Sequence, residues 1–526
     1  MKKLLALLLA AMMILSSVAA LATEDEKVLH LGMGATNNYN TYDFVYPWTD
    51  TGLVGNYCWL TLLQADKNLV VSEGEIMKSW DVQDEGTTIV LELQEDLFWS
   101  DGEPITMEDV VWSLYKWCEA PSDYWAYVAN ALKYIEGWNE HKEGTADTIT
   151  GIEYTDTTLT FHLTAPYAQF VNLLCQFVPL PKHIYEGCSF DDFKTDPIWQ
   201  EMPVTSGMFM VGEHEDHSYV TYVLNPYYKG QAPKITKIIT DVGGDTDVRA
   251  RNGEIDYFAT NNSDLITMMK DIPGYSITQI PILYFRFLAV CLFDADGNPK
   301  PYVEDVRVRE AVASAINWPE LINAMYGDLA ALTQTGVLAS DPNYIGDWYK
   351  YDPDYAKQLL DEAGYDYDHT MKIFYYYSDQ VTIDIMDAIV YYLDQVGITA
   401  EAVYTSNSVG DIYEGRTGDF AYFGLSAFDN TSWYGMYTRD NMDAMIGCKD
   451  IFADAVKELE TAYTPELWAE AITKLQNMDK ENIFFIPVYT ANYVAYTKDG
   501  LTIPEDCLGN TWYFFDYQFE DWDIAG

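Results

Sequence analysis

Basic side chains are scarce in this chain. Its 526 residues carry 30 Lys and Arg against 82 Asp and Glu, a formal net charge of −52 at pH 7. A surface with so few cations has no basic face that could release phosphate counterions. This excludes nucleic acid as a partner and disfavours anionic lipid surfaces. The charge favours solubility and says little about the fold.

Metal-binding and redox motifs are also missing. The seven cysteines include no C-x-x-C pair, so neither a zinc ribbon nor a thioredoxin-like site is indicated. We therefore expect no bound metal and no cofactor. Cys175 and Cys188 are candidates for a disulfide in an oxidising compartment, whereas the odd total argues against a full disulfide framework.

Long apolar segments are absent except at the amino terminus. Two lysines precede an apolar run from Leu4 to Ala20, and Ala20 and Ala22 are small residues of the kind that signal peptidase accepts. We predict that residues 1–22 are a cleaved signal peptide. An uncleaved anchor is the alternative, which the shortness of the run disfavours. No cysteine follows the run to carry a lipid anchor.

The next most apolar segment, residues 282–293, is too short for a membrane span and is interrupted by Arg286. The mature chain is therefore expected to be soluble, without membrane insertion, in a periplasm or outside the cell. Because 15% of the residues are aromatic and half are apolar, a folded chain with two or more cores is expected.

Several strings resemble catalytic or ligand motifs, but each fails on spacing. The zinc-protease-like string at 214–217 is one residue short, and the Gly-rich string at 32–37 has Asn37 in place of the third glycine. The calcium-loop-like string at 294–298 is followed by Pro299, and 424–428 lacks the closing glycine of a nucleophile elbow. We expect no enzyme. A secreted carboxylate-dependent hydrolase stays open as an alternative.

The residue pattern changes along the chain. The first half is rich in strands, with a helix that begins at a capping box formed by Thr106 and Asp109. After about residue 300 helices and strands alternate, as in the helix that Asp352 caps and Gly364 ends. This order predicts an α/β lobe with a largely parallel sheet. The apolar segment 483–488 is predicted to be a strand that returns to the first lobe.

Several strings, in this order and spacing, resemble one family. They are Leu97–Thr106 followed by Glu108–Val110, Pro203–Phe209, Asn225–Tyr228, Asn252–Asp256, Asp305–Asn317 and Tyr351–Tyr365. The chain is similar to the extracellular solute-binding proteins, family 5, of peptide and nickel ABC importers. The likeness covers nearly all of the mature chain.

This resemblance implies an α/β fold with two lobes, of the type II periplasmic-binding-protein kind and its large peptide-binding cluster. The first lobe would be discontinuous, 23–280 with a return segment 487–526, and the second would be 281–486. Two crossings, at 279–287 and 484–488, would form a hinge.

The same resemblance implies a monomer that captures a small ligand, most of all a peptide, between the lobes. The ligand would pass to the permease subunits of an ABC importer. An oligosaccharide or another solute is the alternative ligand, because aromatic residues are plentiful. The importer, the ligand length and the side-chain preference are left open.

Candidate ligand-binding residues follow from the same likeness. Asp429 is the candidate partner for a ligand ammonium, although it sits one residue out of the family register. Trp433 and Tyr434 are expected either to wall a pocket or to pack in the core. The full set is Gly34, Thr36 and Asn37 on the first lobe, with Gly424, Leu425, Ser426, Asp429, Trp433 and Tyr434 on the second.

Overall fold

A computed structural model shows how the chain folds. It describes residues 26–32, 57–66, 71–120, 132–190, 195–199, 201, 203–215, 218–241, 245–280, 282–339, 341–427, 430–504, 507–508 and 518–525. Within these ranges, no helix combines the length and the apolar character needed to cross a membrane.

The strands lie in two large sheets and three small ones. In chain order they are β1 (Val28–Leu31), β2 (Leu63–Ala65), β3 (Val71–Gly74), β4 (Met77–Gln83), β5 (Thr88–Leu93), β6 (Ile152–Tyr154), β7 (Thr158–His162), β8 (Phe209–Glu215), β9 (Tyr219–Leu224), β10 (Lys237–Asp241), β11 (Tyr257–Thr260), β12 (Tyr275–Ile280), β13 (Tyr284–Val290), β14 (Ala330–Leu332), β15 (Thr370–Tyr375), β16 (Thr399–Tyr404), β17 (Phe420–Ser426), β18 (Phe485–Ala491), β19 (Tyr493–Lys498), β20 (Leu501–Thr502) and β21 (Asp523–Ile524).

The helices pack on the faces of these sheets. They are α1 (Met107–Cys118), α2 (Trp138–Lys142), α3 (Phe170–Leu173), α4 (Lys182–Tyr185), α5 (Thr246–Arg251), α6 (Ser263–Met269), α7 (Val306–Ala315), α8 (Trp318–Tyr326), α9 (Pro353–Ala363), α10 (Gln380–Gln395), α11 (Asn430–Tyr434), α12 (Asp440–Ile446), α13 (Lys449–Glu460) and α14 (Pro465–Asn482).

The first lobe is built on a seven-stranded sheet of order β12-β19-β11-β1-β10-β9-β8. The central strands β11, β1 and β10 run parallel, and β9 and β19 flank them in the antiparallel direction. The outer strands β8 and β12 pair antiparallel with β9 and β19 in turn. A smaller sheet, β4-β5-β7-β6, packs into the same core as α1. The predicted capping box begins α1: the Asp109 amide donates to Thr106 Oγ1 at 3.3 Å, and the Thr106 amide donates to the Asp109 carboxylate at 2.9 Å.

The second lobe is built on a six-stranded sheet of order β14-β18-β13-β17-β15-β16. Its strands β17, β15 and β16 are parallel, whereas β14, β18, β13 and β17 pair antiparallel. The prediction of a largely parallel sheet is therefore wrong for half of it. Helix–strand alternation between 306 and 404 identified the parallel half, but β13 and β18 lie far apart in the sequence and gave no sign of their pairing.

Helix α9 follows its predicted boundaries closely. The Asp352 carboxylate accepts from the Tyr355 amide at 2.9 Å, and Pro353 occupies the first turn, where a missing N–H costs nothing. Gly364 ends the helix with φ 69°, in the left-handed region that glycine enters without strain. These local signals fix the helix independently of the rest of the fold.

The predicted return of 483–488 to the first lobe is wrong. Strand β18 pairs with β13 and β14 in the second sheet, and the chain enters the first sheet only at β19, after Asn492. All seven residues of β18 are buried, so the strand shows no alternation that would mark its end. Pro487 lies at a register shift opposite Phe287, which places a residue without an N–H donor inside the sheet.

No disulfide joins Cys175 and Cys188. All seven cysteines are buried, and none of them forms a disulfide in the part of the chain that the structure describes. Burial raises the pKa of the Cys175 and Cys188 thiols, so they behave as small apolar side chains rather than as reactive thiolates.

The core of the second lobe encloses the carboxyl group of Asp479. Asp479, on α14, accepts hydrogen bonds from the hydroxyls of Tyr434 and Tyr437, with the Tyr434 contact at 2.9 Å. Burial raises the pKa of Asp479 to about 7, against the opposing effect of the two tyrosine donors. The folded protein therefore holds a proton at Asp479 in a pH range where the unfolded chain has released it.

We predict that Asp479→Asn reduces the pH dependence of the free energy of unfolding. In the native protein the pKa is raised, so stability is highest below the unfolded pKa of about 3.8 and is lost as the pH rises towards 7. The loss from this group is on the order of 3 kcal/mol. Calorimetric unfolding between pH 4 and 7 should show a smaller decline in Asp479→Asn than in the native chain. Equal slopes in the two proteins would contradict the prediction.

Candidate functional site

The two large sheets are connected at corresponding strand ends. In the first sheet, Thr260 at the carboxyl end of β11 pairs with Val494, next to the start of β19. In the second, Ser426 at the carboxyl end of β17 pairs with Tyr284 at the start of β13. The chain passes between the lobes at these same edges. The carboxyl ends of the parallel strands in both sheets therefore border the passage, which is where ligands lie in open α/β folds.

The passage itself is a ribbon of two strands. Strands β12 and β19 pair in the first sheet, and their continuations β13 and β18 pair in the second. Around Asn492, the backbone amide donates to Leu329 O at 3.0 Å and the side chain donates to Gln279 at 3.1 Å. Neighbouring strands thus connect the lobes twice at one place, which is the geometry of a hinge.

Strand β17 has an open edge at this place. Its pairing with β15 ends at Tyr422, while the strand continues to Ser426. On that side Phe423–Ser426 have no ladder partner among the residues that the structure describes. Gly424, Leu425 and Ser426 are half-buried, whereas the preceding residues of the strand are buried. The predicted residues 424–426 therefore lie at the strand end that borders the passage, with an unpaired backbone edge.

One cation lies beside this edge. Arg286, on β13, is in register with Gly424 on one side and with Tyr489 on the other. Its guanidinium lies over the rings of Tyr284 and Tyr377, at 4.3 and 3.9 Å from the centroids. Its Nη1 atom is buried and has no hydrogen-bond partner within the described part of the chain.

Tyrosines surround the arginine. The Tyr422 hydroxyl donates to Tyr489 at 3.0 Å, Tyr326 and Tyr489 are hydrogen-bonded at 2.8 Å, and Tyr376 and Tyr377 at 3.0 Å. Burial raises the pKa of Tyr326, Tyr377 and Tyr422. These hydroxyls are therefore neutral at physiological pH and bring no negative charge to the guanidinium.

Gly424 makes room for the guanidinium. A Cβ atom at this position would stand well inside contact distance of Arg286 Nη1 and of the Tyr377 hydroxyl. The backbone of Gly424 is not among the positive-φ positions, so steric space rather than backbone freedom accounts for the glycine.

The structure places the other predicted residues differently. Gly34, Thr36, Asn37 and Asp429 lie outside the described residues, although the chain leaves β1 at the passage edge just before them. Trp433 and Tyr434 are fully buried. The Trp433 ring packs 4.7 Å from Phe285 and 5.1 Å from Phe287, measured between centroids, and the Tyr434 hydroxyl bonds to Asp479. Both side chains thus occupy the core, the second of the two expectations for them.

Sequence reasoning missed Arg286 and its tyrosines as site residues. Arg286 is the only charged residue in the apolar segment 282–293, and that charge served only to exclude a membrane span. A lone charge in a buried strand is costly, so it is also a signal of function. Tyr326, Tyr422 and Tyr489 come from separate elements, and no sequence pattern brings them together.

The lobes also touch away from the hinge. The Ala168 amide donates to Glu460 O at 2.7 Å, and the Tyr134 hydroxyl donates to the Glu460 carboxylate at 3.2 Å. Burial raises the pKa of Glu460. A cavity of about 660 Å³ adjoins this contact, lined by Ala165, Pro166 and residues of α13 and α14. None of the residues that line this cavity belongs to the open edge of β17 or to the arginine and tyrosines beside it.

Comparison with known proteins identifies the family. The family described as bacterial extracellular solute-binding proteins, family 5 Middle, matches residues 73–444. The chain belongs to this family. Its members are solute-binding proteins, not enzymes.

Relatives are distant in sequence and close in fold. A Brucella ovis protein with the provisional name of an ABC transporter peptide-binding protein is 26% identical over 361 residues, 65% of this chain and 63% of that protein. The dipeptide-binding protein of Escherichia coli is 24% identical over 302 residues, 55% of this chain and 54% of its own. The chain thus matches somewhat under two thirds of the length of these relatives.

The crystal structure of the ABC transporter substrate-binding protein CtaP from Listeria monocytogenes superposes with a TM-score of 0.78 at 19% identity. It covers 96% of this chain and all of that one. This likeness confirms the predicted two-lobe fold.

We predict that Gly424→Ala destabilises the protein while Gly435→Ala does not. An alanine at 424 overpacks Arg286 and Tyr377, at a cost of about 1–3 kcal/mol, whereas a Cβ at 435 meets no atom within 4 Å. Calorimetric unfolding measures both. The cost of Gly424→Ala should shrink in an Arg286→Met background, since one of the two obstacles is then gone. Equal stability of the two glycine variants would contradict this.

Proposed function

We propose that the protein captures a peptide between its two lobes and delivers it to the permease of an ABC importer. The observation that carries the proposal is the open edge of β17 at Phe423–Ser426, at the hinge between the lobes. An extended peptide pairs with such an edge through main-chain hydrogen bonds, which gives affinity without dependence on sequence.

The hinge would link ligand binding to recognition by the permease. A ligand that contacts both lobes favours the closed arrangement over the open one, by as much as its contacts differ between the two. A permease that recognises the closed form then receives loaded rather than empty protein. The names of the relatives, a peptide-binding and a dipeptide-binding protein, support this ligand class.

The compartment and the assembly state complete the proposal. Residues 1–22 would direct export and be removed, so the mature protein would begin at Thr23. It would act as a monomer in the periplasm or at the outer cell surface. The first lobe would contribute Gly34, Thr36 and Asn37 at the carboxyl end of β1.

We expect native mass spectrometry of the exported protein to show one peptide per chain and a protein mass that begins at Thr23. Adding a library of synthetic peptides to stripped protein should raise its thermal midpoint, because a ligand that binds only the folded state stabilises it. A co-purified oligosaccharide, with no response to peptides, would overturn the peptide assignment. Peptide cleavage by the protein would favour the hydrolase instead.

We further predict that Asp429→Ala weakens peptide binding by removing the partner of the ligand ammonium. The expected loss is at least about tenfold, typical of a charge-assisted hydrogen bond. Asp394→Ala is the matched control, since Asp394 is exposed on α10. N-acetylated peptides should bind the native protein as weakly as free peptides bind Asp429→Ala. Full affinity in Asp429→Ala would remove the assigned role.

A further inference from the structure

We propose that Arg286 is a carboxylate-binding subsite at the floor of the interlobe cleft, and that it selects ligands with a free carboxylate. This inference rests on the proposed function and deepens it, because it assigns the chemical group of the peptide that the second lobe recognises.

The first step concerns the charge balance around Arg286. The chain has almost three acidic side chains for each basic one, yet none of the described carboxylates pairs with this guanidinium. The nearby Asp379, which acts electrostatically on Tyr326, already accepts from the Thr382 amide at 2.9 Å as the cap of α10. In so acidic a protein, an arginine without a counter-ion among the described residues is a candidate binding group for an external anion.

A second buried arginine shows the contrast. Arg309, on α7, donates from Nη1 to Val303 O and Glu304 O, each at 2.8 Å, and from Nη2 to Asn482 O at 2.7 Å. Its donors are satisfied by backbone carbonyls, which is how a structural arginine is normally buried. Arg286 Nη1, by contrast, has no hydrogen-bond partner among the described residues.

The third step concerns orientation. The guanidinium lies against the rings of both Tyr284 and Tyr377, and these contacts restrict its orientation before a ligand arrives. A planar guanidinium fixed in this way suits a carboxylate, which it binds through two parallel hydrogen bonds. The neutral tyrosine hydroxyls nearby add donors without adding charge.

The fourth step concerns position. Arg286 is in register with Gly424, within the stretch of β17 whose edge is open. A peptide paired with Phe423–Ser426 would therefore bring a carboxylate to the guanidinium while its backbone completes the sheet. The carboxylate has two sources, the peptide's carboxyl terminus or an acidic side chain, and both have the same chemistry.

The proposal predicts opposite effects on stability and on binding. An uncompensated buried charge destabilises the empty protein, so Arg286→Met should leave its thermal midpoint unchanged or raised. The same variant should bind carboxylate-bearing peptides at least about 30-fold more weakly, the loss typical of removing one partner of a buried charge pair. Arg309→Met should do the reverse: the thermal midpoint falls and the affinity of the remaining folded protein is retained.

The experiment uses three libraries of synthetic tripeptides to hexapeptides, titrated against the full-length mature protein and both arginine variants. One library has free carboxyl termini and no acidic side chains, the second is the same library amidated, and the third is amidated with one Glu added. Native mass spectrometry measures binding, and calorimetry measures stability.

Binding of the first library but not the second identifies the carboxyl terminus as the anion. Binding of the third but not the second identifies the acidic side chain. In both cases the preference must be lost in Arg286→Met. If the native protein and Arg286→Met bind all three libraries equally, the subsite is wrong while peptide capture stands. If no library binds the native protein, peptide capture fails and the subsite fails with it.

Discussion

The pairing of β12 with β19 in one sheet, and of β13 with β18 in the other, is the constraint on which the rest of the molecule depends. Both chain passages between the lobes are continuations of paired strands, so they lie side by side at one edge. This edge is also where the parallel strands of both sheets end. The hinge geometry and the open edge of β17 therefore lie at the same place, and a ligand bound there would be positioned to contact both lobes.

The second lobe contains buried ionisable groups of two kinds. Asp479 and Arg309 are satisfied internally, by tyrosine hydroxyls and by backbone carbonyls respectively. Arg286 is held in place by aromatic rings and keeps an unsatisfied donor. We propose that a group of the second kind reduces the stability of the empty protein and becomes favourable when an anion binds. A binding site of this kind lowers the stability of the empty protein and raises its affinity for the ligand.

Local signals in the sequence predicted much of the fold. The capping box at Thr106, the boundaries of α9 and the helix–strand alternation after residue 300 all depend on neighbours within a few residues, and the structure confirms them. The return of the chain to the first lobe was predicted too early, because β18 is buried on both faces and has no alternating pattern. Of the predicted site residues, 424–426 lie at the strand end beside the hinge, while Trp433 and Tyr434 lie in the core.

The sequence by itself determined the excess of acidic charge and the likeness to a family of solute-binding proteins, and it predicts an export signal at residues 1–22. It also contained the lone Arg286 in an apolar strand. Only the tertiary structure showed which groups surround the Arg286 guanidinium. Tyr284, Tyr377, Tyr422 and Tyr489 come from four different strands or strand ends, and only three-dimensional packing brings their rings and hydroxyls around the guanidinium. Long-range pairing of β13 with β17 and β18 brings these groups together, and no local pattern encodes it.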